Sequence, residues 1–175
     1  MSWDEALEKH GFLKSIAGEA DFNAAVKAIE IMVSKPQLGL IISGKYGVGK
    51  TKLLKAIKSL MADKPAWINL GDPNDLECLT DEWMDYHCAN FYKRNVILDD
   101  LGAEKPVNEY GVRSEIVADF IIRYHLQGKG RIIISTNLNT VGIDDRYGGR
   151  FLSRLKDLCV PLRFTGNDKR NWSIG

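Results

Sequence analysis

The sequence predicts an α/β fold in which a five-stranded, mainly parallel sheet is flanked by helices. Five short apolar segments alternate along the chain with segments of helical periodicity, and this alternation is typical of parallel sheets. The first apolar segment leads into a glycine-rich turn that opens a helix, and the third, residues 95–100, ends in two acidic residues. In open α/β sheets, such strand ends lie at the edge where ligands bind.

Composition indicates a single globular domain. The 175 residues are enough to bury an ordinary core, and 24 Lys and Arg against 23 Asp and Glu leave a net charge of +1. The overall charge therefore does not indicate a nucleic-acid partner. The three cysteines fit no zinc-binding spacing, and we recognise no signal peptide or membrane-spanning segment. We therefore expect reduced thiols and a cytoplasmic protein without a membrane partner.

The first half of the chain is divided by proline and by helix-capping residues. Helices are expected at residues 2–10, 21–34 and 51–61, and strands at 38–43 and 66–70. Ser2 and Glu5 have the spacing of a capping box for the first helix. Asp21 is the expected N-cap of the second. Pro36 and Pro65 separate the strands from the helices before them.

The second half continues the alternation. Helices are expected at residues 75–94, 111–127 and 149–155, and strands at 95–100, 131–137 and 158–164. Gly128 can cap the helix before it, and the glycine-containing residues 142–149 are expected to form a loop. Pro161 cannot donate a hydrogen bond within a sheet, so the last strand should lie at an edge or pair irregularly.

The glycine-rich turn has the spacing of a P-loop, Gly44-x4-Gly49-Lys50-Thr51. Its glycines allow backbone N–H groups to converge on phosphate oxygens, and the helix that follows directs its positive end at the same anion. Lys50 adds a charge opposite the β- and γ-phosphates, and the Thr51 hydroxyl can ligate Mg²⁺. The predicted contacts with ATP or ADP are Gly44, Tyr46, Gly47, Val48, Gly49, Lys50, Thr51 and Lys52.

The two acids that end the third strand are the predicted Walker B pair. Asp99 would hold Mg²⁺ through its water shell, so that Thr51 and Asp99 are the predicted metal ligands. Asp100 would position and polarise the attacking water. The fourth strand ends at Asn137, whose amide could reach the γ-phosphate or the water. Lys50, Asp100 and Asn137 are therefore candidate catalytic residues.

Charge is unevenly distributed along the chain. Residues 75–85 contain five acids and no Lys or Arg, whereas seven cations follow from Arg146 onward. The acidic segment argues against DNA contact through that face. Acidic and basic ends of this kind could stack subunits head to tail, or they could simply be solvated surfaces.

The ordered set of motifs resembles an AAA+ ATPase, and within that superfamily the DnaC/DnaI-type replicative helicase loaders and the related IstB-type transposition helper ATPases. Besides the P-loop, the segments that carry the resemblance are NVILDDLGAE at 95–104, ISTNLN at 134–139, YGGRFLSRL at 147–155 and GNDKR at 166–170. The resemblance implies a three-layer P-loop core without a C-terminal helical lid. It covers roughly residues 12–172. We expect a single domain over 1–175, with a helical lead-in at 1–35, the core at 36–165 and a tail at 166–175.

The resemblance also implies residue roles and partners. Asn137 corresponds to sensor 1, Arg154 to the arginine finger and Arg170 to a sensor 2-like arginine. The implied function is ATP hydrolysis in DNA replication initiation, with ATP shared between subunits, a replicative helicase as partner and single-stranded DNA bound. Lys105, Arg113 and the basic carboxyl end are the candidate DNA contacts, with Tyr110 as a stacking group.

Two departures keep other functions open. Asp100 stands where most AAA+ proteins have Glu, so its reach to the water is one methylene shorter. The helicase-binding region that usually precedes the ATPase core in loaders has no counterpart in the lead-in at 1–35, as in a small or phage-type loader or a different branch. The alternatives are a transposition helper ATPase, a nucleotide-switched adaptor with little hydrolysis, and a small P-loop kinase.

Overall fold

The computed structural model describes residues 2–9, 11, 19–77, 79, 94–105, 107–109, 112–114, 116–127 and 130–165. The helices are α1 Trp3–Lys9, α2 Glu19–Ser34, α3 Lys50–Leu60, α4 Pro73–Glu77, α5 Ile116–Gln127, α6 Thr140–Tyr147 and α7 Gly149–Leu158. The strands are β1 Gly39–Ser43, β2 Ala66–Asn69, β3 Val96–Leu101, β4 Val107–Glu109, β5 Val112–Ser114, β6 Ile132–Thr136 and β7 Cys159–Arg163.

Five of the strands form one parallel sheet in the order β2-β3-β6-β1-β7. The predicted α/β fold with a five-stranded parallel sheet is therefore confirmed. Ser43 at the end of β1 lies beside Thr136 at the end of β6, so the carboxyl ends of the central strands meet at one edge. Within the described sheet β7 pairs with β1 and lies at the border, which accommodates Pro161 as predicted.

Apolar side chains cover both faces of this sheet, which makes three layers. On one face Leu40 and Ile133 pack in a buried cluster with residues of α1, α2 and α3. On the other face Ile134 packs in a second cluster with residues of α5 and α7, including Phe120 and Phe151. Burial on both faces explains why the strand sequences are apolar throughout rather than alternating.

At the amino end, one predicted cap is confirmed and the other is wrong. The Ser2 backbone N–H donates to Glu5 Oε2 at 2.7 Å, and the Glu5 N–H donates to Ser2 Oγ at 3.2 Å, which is a complete capping box. Asp21, the predicted N-cap of the second helix, lies inside α2, which begins at Glu19. The two residues before Asp21, Glu19 and Ala20, are strong helix formers, so the helix extends past it.

The helix predicted over residues 111–127 begins later, at Ile116, because a hairpin precedes it. Strands β4 and β5 pair antiparallel, with Val107 opposite Ser114 and Glu109 opposite Val112. Valines favour strands, and the two residues between these strands match the shortest common hairpin connection. Of the helix predicted over 75–94, residues 75–77 belong to α4, and Leu79 and Arg94 are not helical. Residues 78 and 80–93 lie outside the described part.

The loop predicted over residues 142–149 is also wrong, since Thr140–Tyr147 is helical. The Asn139 side chain caps this helix by accepting a 2.8 Å hydrogen bond from the Gly142 N–H. Gly142 therefore lies in the first turn and does not break the helix. The break falls at Gly148, whose φ of +83° separates α6 from α7. In the described part of the chain, no helix is long and apolar enough to cross a membrane.

Candidate functional site

The P-loop connects β1 to α3 at the carboxyl edge of the sheet. Gly47 has a φ of +77° and Gly49 a φ of +104°, a backbone conformation that glycine adopts without strain. Beside them lies a cleft of about 250 Å³, which we call the phosphate cleft after the ligand that a P-loop predicts. It is lined by Tyr46, Gly47, Gly49, Lys50, Thr51, Lys52, Asp100 and Asn137. Residues from three separate parts of the chain therefore meet in one concave site.

Two of the predicted nucleotide contacts lie behind this cleft. The Val48 side chain is buried in the core on the α3 side of the sheet, so only its backbone can face a phosphate. Gly44 packs against the chain after β7, where a Cβ would lie 2.7 Å from the Phe164 carbonyl oxygen. The glycine is therefore required for close backbone approach, whether or not it also contacts a nucleotide.

Lys50 is held at the base of the cleft with 5% of its surface exposed. Its Nζ donates to the carbonyl oxygens of Gly44 at 2.9 Å and Lys45 at 2.8 Å, and to Asn137 Oδ1 at 2.7 Å. These contacts aim the ammonium group along the inside of the loop. A phosphate oxygen in the cleft would meet a positioned charge and not a flexible surface lysine.

Asp99 lies at the end of β3, buried to 4% exposure. The Ser135 hydroxyl donates to Asp99 Oδ1 at 2.5 Å, and the Thr51 hydroxyl donates to the same oxygen at 3.2 Å. Burial raises the pKa of Asp99, with a smaller contribution from neighbouring Asp100, and the two hydrogen bonds oppose the rise. A divalent cation would relieve this buried negative charge.

The donor set here fits Mg²⁺. One carboxylate and one hydroxyl, Asp99 and Thr51, lie in contact, and Mg²⁺ typically takes one or two carboxylates and fills its other positions with water and substrate phosphates. Among the described residues no group of three or more His, Cys, Asp or Glu forms an all-protein metal cage. The site therefore suits a metal that arrives with a nucleotide.

Asp100 adopts a φ of +64°, which is uncommon for a residue with a side chain. It lies at an irregularity where the pairing of β3 with β6 shifts between Leu98 and Leu101. Its backbone N–H donates to Ser135 Oγ at 2.9 Å. The same hydroxyl thus accepts from Asp100 and donates to Asp99, so Ser135 holds the two acids in their relative positions.

Asn137 joins the two sides of the cleft. Its amide oxygen accepts from Lys50, and its amide nitrogen lies 3.4 Å from Asp100 Oδ1 as a long donor contact. The structure therefore brings together Lys50, Asp100 and Asn137, three of the four candidate catalytic residues, and leaves out the fourth, Arg154. Ser135 was missed by sequence reasoning, although a polar residue that follows the apolar run 132–134 was an available signal.

The two arginines of the YGGRFLSRL segment do not line this cleft. Arg150 is exposed on α7. Arg154 is 35% exposed, and its NH1 lies 3.7 Å from Asp157 Oδ2 one turn later on the same helix. Lys105 is exposed beyond β3. The predicted contacts Arg170 and Tyr110 and the Arg113 side chain lie outside the described residues.

A larger cleft of about 590 Å³ adjoins the phosphate cleft. It lies between the P-loop, the start of α6 and the end of β7, and its lining includes Lys45, Asn137, Asn139, Ile143 and Arg163. Asn137 is common to both clefts, but the acids Asp99 and Asp100 do not line the larger one. The candidate residues Lys50, Thr51 and Asp100 therefore line the smaller cleft and not the larger one.

Comparison with known proteins relates this geometry to solved structures. No protein-family model matches the chain, and no curated protein matches it in sequence. Its fold is similar to that of the DnaC helicase loader, at TM-score 0.59 and 21% identity over 85% of this chain and 92% of that one. NtrX from Brucella abortus, solved in complex with ATP, matches at TM-score 0.56 and 17% identity over 91% and 41%.

A third similar structure is AMPPCP-bound DnaA from Aquifex aeolicus, at TM-score 0.57 and 20% identity over 84% of this chain and 48% of that one. At sequence identities this low, the comparison shows similarity of fold alone. The five-stranded parallel sheet flanked by helices matches the P-loop fold of these structures. The protein therefore has the P-loop fold of the AAA+ ATPases.

Proposed function

We propose that this protein binds and hydrolyses ATP with Mg²⁺ and acts as a helicase-loader-like ATPase in DNA replication initiation. The observation that carries the proposal is the convergence of Lys50, Thr51, Asp100 and Asn137 around one cleft of about 250 Å³, with the buried acid Asp99 in contact with Thr51. A phosphate chain placed there would meet a positioned ammonium group on one side and two carboxylates with an amide on the other.

Each residue has a part in the proposed hydrolysis. Lys50 binds the β- and γ-phosphates, and Thr51 and Asp99 would hold Mg²⁺, which when bound neutralises the charge that develops on the phosphates. Asp100 orients and polarises the attacking water. Asn137, held by Lys50 and Asp100, keeps the water and the γ-phosphate in line.

The arginine finger is proposed to come from a neighbouring copy of the chain. Arg154 lies on α7 and does not line its own phosphate cleft, so it suits a contact supplied to another subunit. Such an arginine can raise hydrolysis by about 10³–10⁵-fold. The isolated chain should therefore be nearly inactive, and turnover per chain should increase with protein concentration.

The test combines calorimetry with phosphate release. Lys50→Ala should abolish measurable heat with Mg²⁺-ATP, whereas Arg154→Ala should bind ATP like the parent and lose the concentration-dependent hydrolysis. Arg150→Ala is the matched control, because it removes an exposed arginine from the same helix, and it should retain hydrolysis. If Lys50→Ala bound ATP as tightly as the parent, the assignment of the ATP site would be wrong. If Arg154→Ala hydrolysed ATP like the parent, the assignment of the arginine finger would be wrong.

A replicative helicase and single-stranded DNA are the proposed partners, and both rest on the resemblance of the motifs. The DNA contacts would be Lys105, Arg113 and the basic carboxyl end, so affinity should fall steeply with salt. Pull-down with a replicative helicase and titration with oligonucleotides at low salt test the two partners separately. Capture of a transposase in place of the helicase would favour the transposition-helper function.

A nucleotide-switched adaptor is the second candidate, and Asp100 favours it. This acid is one methylene shorter than Glu, and its carboxylate already lies 3.4 Å from the Asn137 amide nitrogen. An adaptor would bind ATP and change its oligomeric state without releasing phosphate. Measurement of phosphate release with and without single-stranded DNA distinguishes it from the ATPase.

A further inference from the structure

Beside the turn that follows Asp100 lies a cluster of polar side chains formed by Glu104, Arg146 and Tyr147, none of which was assigned a role above. Glu104 is buried, with 4% of its side chain exposed. Its Oε1 accepts a short hydrogen bond from the Tyr147 hydroxyl and lies 3.4 Å from Arg146 NH2. Arg146 also lies over the Tyr147 ring, with Cζ 5.2 Å from the centroid. Buried charges of this kind are retained at a cost in desolvation, so their contacts merit a functional explanation.

One end of the cluster binds the turn that starts at Asp100, the residue proposed to orient the attacking water. The Ala103 N–H donates to the Asp100 carbonyl at 2.9 Å, which closes a tight turn around Gly102. The Gly102 N–H donates to Glu104 Oε2 at 2.9 Å, and the Gly102 carbonyl accepts from Arg146 NH1 at 2.9 Å. Both polar groups of Gly102 are therefore bound by the cluster, and the path of the chain after Asp100 depends on it.

The other end of the cluster holds the helix that carries the proposed finger. Arg146 and Tyr147 form the end of α6, and the Tyr147 ring lies 4.5 Å from the Phe151 ring of α7. Phe151 is fully buried in the core. Arg154 follows Phe151 by three residues on the same helix, so the two lie on adjoining parts of one face.

We propose that Glu104, Arg146 and Tyr147 are positioning residues that fix Asp100 of the chain's own ATP site relative to Arg154, the arginine that the chain supplies to a neighbouring copy. This inference rests on the proposed function. According to this inference, one cluster controls the positions of catalytic groups in two different ATP sites. One is the site that the chain itself carries, and the other is the neighbouring site to which it supplies Arg154. Misplacement of reacting groups by about 1 Å can cost on the order of 10²-fold in rate.

Mixed assemblies test the two ends separately. A chain with Arg154→Ala keeps its ATP site but supplies no finger, whereas a chain with Lys50→Ala supplies the finger but binds no ATP. Neither should hydrolyse ATP alone, and a mixture should recover activity at one kind of interface. Tyr147→Phe, which deletes one hydroxyl and keeps the ring against Phe151, is then placed in either chain.

The expected result is a loss of kcat of roughly 10–100-fold in both placements, with ATP affinity and KM within about twofold because the P-loop is untouched. The matched control is Tyr124→Phe, which deletes another buried hydroxyl that donates at 2.7 Å to the Arg94 carbonyl, away from the phosphate cleft. It should leave kcat unchanged in both placements. Glu104→Gln, which removes the charge opposite Arg146, provides a second variant and should show the same two-sided loss, provided that thermal unfolding shows it folded.

Each other outcome is decisive. If Tyr147→Phe lowers kcat in only one of the two chains, the cluster positions only one of the two residues and the inference is overturned. The inference is also overturned if kcat falls in neither chain, or if Tyr124→Phe lowers it equally. The parent could hydrolyse ATP while the mixture of Arg154→Ala and Lys50→Ala chains stays inactive. That result would contradict both the assignment of Arg154 as the arginine finger and this inference, but not the proposed ATPase activity. A parent that binds no ATP removes the proposed function, and the inference with it.

Discussion

The sharpest test of the site's architecture is Gly102→Ala, in the turn that follows the Walker B acids. Gly102 has a φ of +101°, a conformation that costs an L-residue about 1–2 kcal/mol. A Cβ built there would lie 2.7 Å from Leu138 Cδ1 and 3.0 Å from Leu138 Cγ. Leu138 lies in the segment between β6 and α6, so the turn after Asp100 and the chain that follows β6 meet at this glycine.

The expected loss of stability is the sum of the conformational cost at Gly102 and the cost of the contact with Leu138. Overpacking costs about 1–3 kcal/mol, and the lower part of that range applies because Leu138 is only half-buried and can rotate. The sum is about 2–4 kcal/mol of lost stability. For a chain of this length each kcal/mol lowers Tm by about 2–4 °C, so we expect a fall of roughly 5–15 °C. Hydrolysis should fall as well, because the turn begins at Asp100.

Urea and thermal unfolding measure the stability, and two further variants separate its terms. Gly11→Ala is the control, since Gly11 has a φ of +65° with nothing within 4 Å of its built Cβ, and it should cost only the conformational term of about 1–2 kcal/mol. Leu138→Ala in the Gly102→Ala background should recover the contact term, which a double-mutant cycle measures directly.

The reasoning is refuted if Gly102→Ala unfolds within about 0.5 kcal/mol of the parent, the range of an ordinary surface substitution. It is also refuted if Leu138→Ala and Gly102→Ala are additive, because the two residues would then not be in contact. A fall in stability with unchanged hydrolysis would show that the turn does not control the position of Asp100.

Three further substitutions probe the acids themselves. Because burial raises the pKa of Asp99 above 3.8, the folded chain binds a proton more readily than the unfolded one, and stability falls as the pH rises through the folded pKa. Asp99→Asn should therefore raise the Tm of the nucleotide-free protein at pH 7, with a smaller gain at pH 4, while calorimetry shows lost Mg²⁺ dependence of ATP binding. Ser135→Ala should cost about 1–3 kcal/mol in urea unfolding, since it removes one hydrogen bond from the buried Asp99 carboxylate and the partner of the Asp100 N–H, and an unchanged value would contradict the bridge. Asp100→Glu should raise phosphate release but lower Tm slightly, because Glu tolerates a positive φ less well than Asp; unchanged release would show that reach does not limit the reaction.

The cleft could be predicted from sequence because its residues belong to local motifs. Lys50 and Thr51 follow the glycines directly, and Asp100 and Asn137 each lie at or just beyond the end of an apolar strand. In a parallel sheet these ends meet at one edge, so local patterns alone were enough to assemble the site. The structure adds the distances, and it shows that the Val48 side chain faces the core.

The parts that escaped prediction depend on contacts between distant residues or on glycines with unexpected roles. Glu104 and Arg146 lie 42 residues apart, and no sequence motif indicates that their side chains form an ion pair. Gly142 suggests a loop by type, but it lies in a helix because Asn139 caps the turn that contains it. Strand β5 was assigned to the helix predicted over 111–127, since the segment after it is strongly helical in pattern.

Two unfavourable features lie side by side at the edge that carries the acids. There Asp99 is buried with a raised pKa, and Asp100 has a positive φ. At the opposite edge polar groups are matched: Arg131 donates to the carbonyl oxygens of Pro36 and Met32 at 2.6 and 2.9 Å. A fold under selection for stability alone would not place its strain beside its buried charge. A cation bound between Thr51 and Asp99 would remove the main electrostatic cost, so the carboxyl edge is better explained as a site completed by Mg²⁺-ATP than as a structural acid pair.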